Sequence, residues 1–178
     1  TGGGTTVRGL ALVSFAGNGI EITGGGNNVL EGNYVGMAAN GTTAAGSSGS
    51  GVRLSNSSNN RIGGTTAAQR NVISGNTGKG NGGGIEIDGG SANVIKGNFI
   101  GVDHSGTEPR GNGEGVVVEV QSAHNRIGGR SPAARPATEP SAVPARSEAA
   151  ASDLVYLLAS ADAAWAVRDQ PGQEEALA

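Results

Sequence analysis

Residues 101–115 gather Asp103, His104, Glu108, Arg110 and Glu114 on one short excursion of the chain. An oxygen-rich loop of this kind can hold a calcium ion, which makes Asp103, Glu108 and Glu114 candidate metal ligands. With Arg110 they are also candidate catalytic groups, because glycoside cleavage needs two carboxylates roughly 5–10 Å apart across a sugar. The equivalent stretch 36–51 carries no charged residue, so the backbone shape does not demand these charges and a solvated loop is the simpler reading. A second set is Glu21, Arg53 and Glu86, with Glu119 nearby. These three read as an ion ladder that stabilises the fold, with a ligand-binding face as the alternative. His104 and His124 lack metal-ligand spacing and read as exposed loop residues. The glycine runs at 24–26 and 82–84 lack the strand–loop–helix context of a phosphate-binding loop and read as turns.

The elements that position these groups follow from an internal repeat. Gly19-Ile20-Glu21-Ile22 returns 65 residues later as Gly84-Ile85-Glu86-Ile87, and Asn60-Arg61-Ile62-Gly63-Gly64 returns as Asn125-Arg126-Ile127-Gly128-Gly129. Asn28 to Asn33 and Asn93 to Asn98 share an Asn-x-x-x-Gly-Asn pattern, and Asn71 to Asn76 is a third copy. Inside the 65-residue unit, Gly-apolar-x-apolar segments begin at 19, 51, 84 and 115. Their spacing of about 32 residues predicts one coil each, made of three short strands, two tight turns and a longer loop. The 22-residue step from Asn71 to Asn93 leaves shorter coils with inserted loops open.

Strands this short cannot enclose a core alone, but stacked along an axis they can. The interior is predicted to hold Ile20, Ile22, Leu30, Val35, Val52, Leu54, Ile62, Ile73, Ile85, Ile87, Ile95, Ile100 and Ile127. A narrow interior explains why only five of 178 residues are aromatic while 34 are glycine. Asn and Gly supply the left-handed backbone that corners need. Asn33, Asn76 and Asn98 are expected at turns, with an inward stack of their amides bonding neighbouring backbone. Stacking also predicts a column Glu21, Arg53, Glu86, Val117, alternating in sign over its charged members at rungs about 4.8 Å apart.

Composition changes after Gly129. Thirty-three glycines and all 15 asparagines lie before Arg130, and four prolines follow between 132 and 144. Residues 1–129 are therefore read as the repeat domain, 130–147 as a Pro/Ala-rich linker and 148–178 as an amphipathic helix and tail. Leu154, Leu157, Leu158, Ala161 and Trp165 share one helical face, suited to docking on the first domain or to meeting a partner. The absence of cysteine excludes a disulfide scaffold and cysteine-ligated zinc. A net charge of −3 gives no electrostatic reason to bind nucleic acid, and no apolar run reaches a membrane span.

On the Gly-Ile-Glu-Ile, Asn-Val-Ile-Lys-Gly-Asn, Arg-Asn-Val-Ile-Ser-Gly-Asn and Asn-Arg-Ile-Gly-Gly segments, residues 5–130 resemble the right-handed parallel β-helix repeat proteins of the pectate-lyase-like group. The resemblance implies an all-β solenoid of about four coils. It also implies an extracellular or cell-surface setting, and the start at Thr1 without a signal peptide is read as a fragment of a longer exported protein. Enzymes of the group use clustered carboxylates, calcium and a basic residue on polysaccharides. Before Arg130 this chain has only Asp88 and Asp103 as aspartates and no Asp-Asp pair. The favoured expectation is a non-catalytic module, structural or associated with a polysaccharide or cell-surface glycan, without a cofactor unless calcium binds. A polysaccharide lyase or glycoside hydrolase fragment, and a partner-binding passenger module, are the alternatives.

Overall fold

A computed structural model describes residues 2–78 and 83–128. The linker expected over 130–147 and the helix and tail expected over 148–178 lie outside the described residues. In chain order, β1 (Thr6–Arg8) and β2 (Ala11–Leu12) belong to a first, partial coil. Next come β3 (Ile20–Thr23), β4 (Val29–Glu31) and β5 (Tyr34–Val35), then β6 (Val52–Ser55), β7 (Arg61–Gly63) and β8 (Val72–Ile73). The following coil holds β9 (Ile85–Asp88), β10 (Gly90–Ser91), β11 (Val94–Lys96) and β12 (Phe99–Ile100). The last holds β13 (Val116–Val118), β14 (Ser122–Ala123) and β15 (Arg126–Ile127).

Each strand pairs in parallel with its counterpart one coil away. The result is a five-stranded sheet β1-β4-β7-β11-β15, two four-stranded sheets β2-β5-β8-β12 and β3-β6-β9-β13, and the short pair β10-β14. Ile20, Val52, Ile85 and Val116 stand over one another, which is the predicted register of about 32 residues per coil. This is a parallel β-helix. All thirteen aliphatics expected inside are there. Nine are buried, and Ile20, Ile22, Ile100 and Ile127 are only partly so because they sit in coils with fewer neighbours to cover them. Each fully buried Leu, Ile or Val contributes about 1.5–3 kcal/mol.

The corners are held by asparagine. Asn28 donates its Nδ2 to Asn60 Oδ1 at 2.8 Å, Asn60 to Asn93 at 2.8 Å, and Asn93 to Asn125 at 3.0 Å. Each acceptor oxygen also takes the backbone N–H of the asparagine before it. The preceding residues, Asn27, Asn59, Ala92 and His124, all have positive φ, so one corner geometry recurs through four coils. A second ladder joins Asn33, Asn71 and Asn98, and a third joins Asn76 to Asn112. The amides do stack inward as expected, but the left-handed turn falls on the residue before Asn33 and Asn98. Gly97 has φ +65°, and a Cβ there would lie 2.0 Å from the Gly64 carbonyl oxygen.

One expectation changes. Asn71 begins its Asn-x-x-x-Gly-Asn copy yet stacks between Asn33 and Asn98, which end theirs, because Val72 pairs with Tyr34 and Phe99. The 22-residue step is therefore an offset between two different corners and not a shorter coil.

Replacing Asn60 by Ala removes the acceptor for the Asn28 backbone and side-chain amides, both buried. An orphaned buried donor costs about 1–3 kcal/mol, so Asn60→Ala is expected to lower unfolding free energy by about 3 kcal/mol in a denaturant titration. A loss below about 0.5 kcal/mol would contradict the load assigned to the ladder.

Candidate functional site

Two arms leave the helix after β5 and after β12, on the way to β6 and β13. In one, Met37 pairs antiparallel with Ala44, and in the other Val102 pairs with Pro109. They lie two coils apart and touch. The His104 backbone N–H donates to the Gly41 carbonyl at 3.0 Å, and Arg110 Nε donates to the Thr42 carbonyl at 2.9 Å. Met37 is completely buried.

Asp103 is buried at the base of the second arm. Its Oδ1 accepts the Ser105 hydroxyl at 2.5 Å, the backbone N–H of Ser105 at 3.0 Å and that of Gly106 at 3.1 Å. The Ser105 hydroxyl, then backbone donors from Glu108, Ser105 and Thr107, hold this carboxyl below the usual aspartate range against the opposing effect of burial. Asp103 thus shapes the arm. Glu108 is exposed, while its backbone N–H and carbonyl pair with Asp103. Glu114 stands in the turn before β13, with Oε2 buried and no hydrogen-bond partner among the described residues. Asp103, Glu108 and Glu114 do not converge on one point among the described residues; the carboxylates that do are elsewhere. His124 is exposed, as expected, at a left-handed corner.

The convergent charges lie on the outward face of β3-β6-β9-β13. Glu21, Arg53 and Glu86 are in register, as the repeat predicts. Arg53 Nε meets Glu86 Oε1 at 3.0 Å and Nη1 meets Glu21 Oε1 at 3.5 Å, while Nη2 bonds Asp88. Glu86 is buried, and its other oxygen accepts the Ser50 hydroxyl at 2.6 Å. The carboxylates hold the Arg53 guanidinium above its ordinary pKa, against burial. Asp88 enters because it lies two residues beyond Glu86 and so shares its face. The Glu119 N–H donates to the Ile87 carbonyl, which sets Glu119 on the neighbouring rung beside Asp88. Carboxylate oxygens of Glu86, Asp88 and Glu119 lie within 4.8 Å of one another. Burial, then repulsion from Glu86 and Asp88, raises the Glu119 pKa, with Arg53 opposing. Period-two alternation was the sequence signal that could have placed Asp88 here.

The family model for NosD, described as a periplasmic copper-binding protein, matches residues 3–129, the whole of the described β-helix. The chain belongs to the NosD family. No curated relative and no solved structure matches it. Copper favours imidazole, thiolate and thioether ligands. Against the NosD description, the full chain offers one methionine, two histidines and no cysteine. Met37 is completely buried, and His104 Nδ1 faces the Gly41 carbonyl oxygen at 3.2 Å. The carboxylate group at Glu86, Asp88 and Glu119 is all oxygen. These residues do not fit the copper of the family description. Among the described residues no helix is long and apolar enough to cross a membrane.

Arg53→Glu puts a carboxylate against Glu21, Glu86 and Asp88, and is expected to cost about 3 kcal/mol of stability by denaturant titration. Glu119→Gln should act the other way at neutral pH. A carboxyl whose folded pKa is raised favours the fold only once protonated, so wild-type Glu119 is unfavourable at pH 7 and that penalty fades as pH falls through its folded pKa. The variant should therefore melt higher than wild type at pH 7, by under about 1 kcal/mol, with the gap closing toward acid pH.

Proposed function

We propose that this chain is a non-catalytic β-helix module working outside the cytoplasm, acting through its outward side-chain faces. The NosD match supports the module and a periplasmic or extracellular setting. The observation that carries the non-catalytic reading is the saturation of its best-placed carboxylates. Asp103 accepts its own loop's donors, and Glu86 is bound by both Arg53 and Ser50. A glycosidase acid needs a proton it can release to a leaving group. Asp103, with its lowered pKa, carries none near neutral pH, and Glu86 has its two oxygens held by Arg53 and Ser50.

In its finer form the proposal includes association with a glycan at the Glu21, Arg53 and Glu86 column. Glu21 is the most open of the three, with 45% of its side chain exposed, and it would accept a sugar hydroxyl beside the Asn18 amide and Arg53 guanidinium that it already meets. Calcium at Asp103, Glu108 and Glu114 is the corresponding metal proposal. It requires Glu108 and Glu114 to swing toward an Asp103 whose Oδ1 is already occupied.

We further read the donor chemistry to mean that this chain does not itself hold the copper of its family's description. Titration of the 178-residue chain with Cu(I) and Cu(II) against a competing chelator is expected to reveal no 1:1 site tighter than about micromolar. A tighter site, lost in His104→Ala or His124→Ala, would overturn this. Incubation with acidic and neutral polysaccharides, with and without calcium, is expected to release no new chain ends. Cleavage abolished by Glu119→Gln would restore the hydrolase reading.

A further inference from the structure

The small net charge conceals two oppositely charged faces. On the five-stranded sheet, Arg8, Arg61, Lys96 and Arg126 project from β1, β7, β11 and β15, against Glu31 alone. Glu31 pairs with Arg61 at 2.7 Å, whereas Arg8, Lys96 and Arg126 make no ion pair among the described residues. Arg70 adds a cation at the corner beyond β7, over the Phe99 ring at 4.1 Å. The β3-β6-β9-β13 face is the inverse, with Glu21, Glu86, Asp88 and Glu119 against Arg53 alone. One face carries four strand cations to one anion, and the other four carboxylates to one cation.

The spacing of the two faces also matches. Arg61 and Arg126 lie in one column two rungs apart, and Glu21 and Glu86 lie in another column two rungs apart. Rungs about 4.8 Å apart put both pairs near 10 Å. The 65-residue repeat is the cause, since it returns Glu21 as Glu86 and Arg61 as Arg126 two coils on. Two solenoids laid side by side with parallel axes share one rung spacing, so the cations of one face can meet the carboxylates of the other, Glu21 being the most open of its column.

We propose that the basic face of one chain docks on the acidic face of a second copy. The contact is heterologous, leaving one free face of each sign at the ends, so association continues to higher order at high concentration. It is electrostatic and therefore fades with salt, because screening shortens from about 30 Å at 0.01 M to well under 10 Å at several tenths molar.

Sedimentation velocity on the full chain tests this. At about 10 mM NaCl the weight-average mass should rise with concentration above the 17.4 kDa monomer, and at about 300 mM it should return to monomer. Lys96→Glu with Arg126→Glu should remove self-association while leaving the melting temperature near wild type. Mixed with wild type, that variant should still form heterodimers through its intact acidic face. Lys96→Gln with Arg126→Gln gives the same reading if charge reversal impairs folding. A monomer at both salt concentrations, or association untouched by these variants, would overturn the proposal. So would binding to phosphatidylglycerol vesicles without self-association, which would assign the basic face to an anionic lipid surface.

Discussion

A coil of this molecule finds its hydrogen-bond partners in the coils above and below it, and that dependence organises everything else. Within the sheets, backbone N–H and carbonyl groups meet this need. At the corners the ladder breaks, and buried polar groups there would be left unpaired. The asparagine amides close the gap, each side-chain oxygen accepting both an amide and a backbone N–H from its neighbour. The same demand explains why Ala92 adopts a left-handed conformation that does not suit it, as His124 does at the equivalent corner. The corner must repeat, whatever residue occupies it.

That constraint also governs where the chain can vary. The two arms leave and rejoin at the same rung, with Ala45 bonding back to Gly36 and Arg110 back to Gly101. Stacking is therefore undisturbed by their length. Among the described residues the coil between them carries no such arm, and the two arms meet across it, His104 bonding Gly41 and Arg110 bonding Thr42. Outward positions obey a similar rule. Side chains on adjacent rungs sit close enough that like charges repel, and Glu21, Arg53 and Glu86 alternate accordingly. Where alternation fails, at Glu119 beside Glu86 and Asp88, burial and then repulsion leave a carboxyl that resists ionisation.

Much of the fold was legible because a solenoid writes its geometry into sequence distance. The coil register, the aliphatic interior and the Glu21–Arg53–Glu86 column all follow from one spacing. The site was less legible. Asp103 reads as a free loop carboxylate until its loop is seen to curl and place donors around it. Glu119 lies just past its strand, where alternation alone does not say which rung it joins. Asn71 shares a motif with Asn28 and Asn93 yet occupies a different corner, because residues 64–70, with a short 3-10 turn at Ala67–Gln69, lengthen the chain between Asn60 and Asn71. The NosD description pointed to copper, while the count of sulfur and imidazole ligands, already present in the composition, points away from it.

By itself, the sequence determined the stacking period, the residues that face inward and the return of Glu21 as Glu86 and Arg61 as Arg126 two coils on. These are properties of a repeat, in which each residue's neighbour is set by a fixed offset along the chain. Tertiary structure alone decided how charges from different offsets come together. Asp88 reaches Arg53 across a rung, Glu119 closes on Glu86 and Asp88, and the cations collect on a face apart from the carboxylates. Contacts of that kind depend on how far each loop carries the chain before the next strand begins, a distance in space that the spacing of motifs does not record.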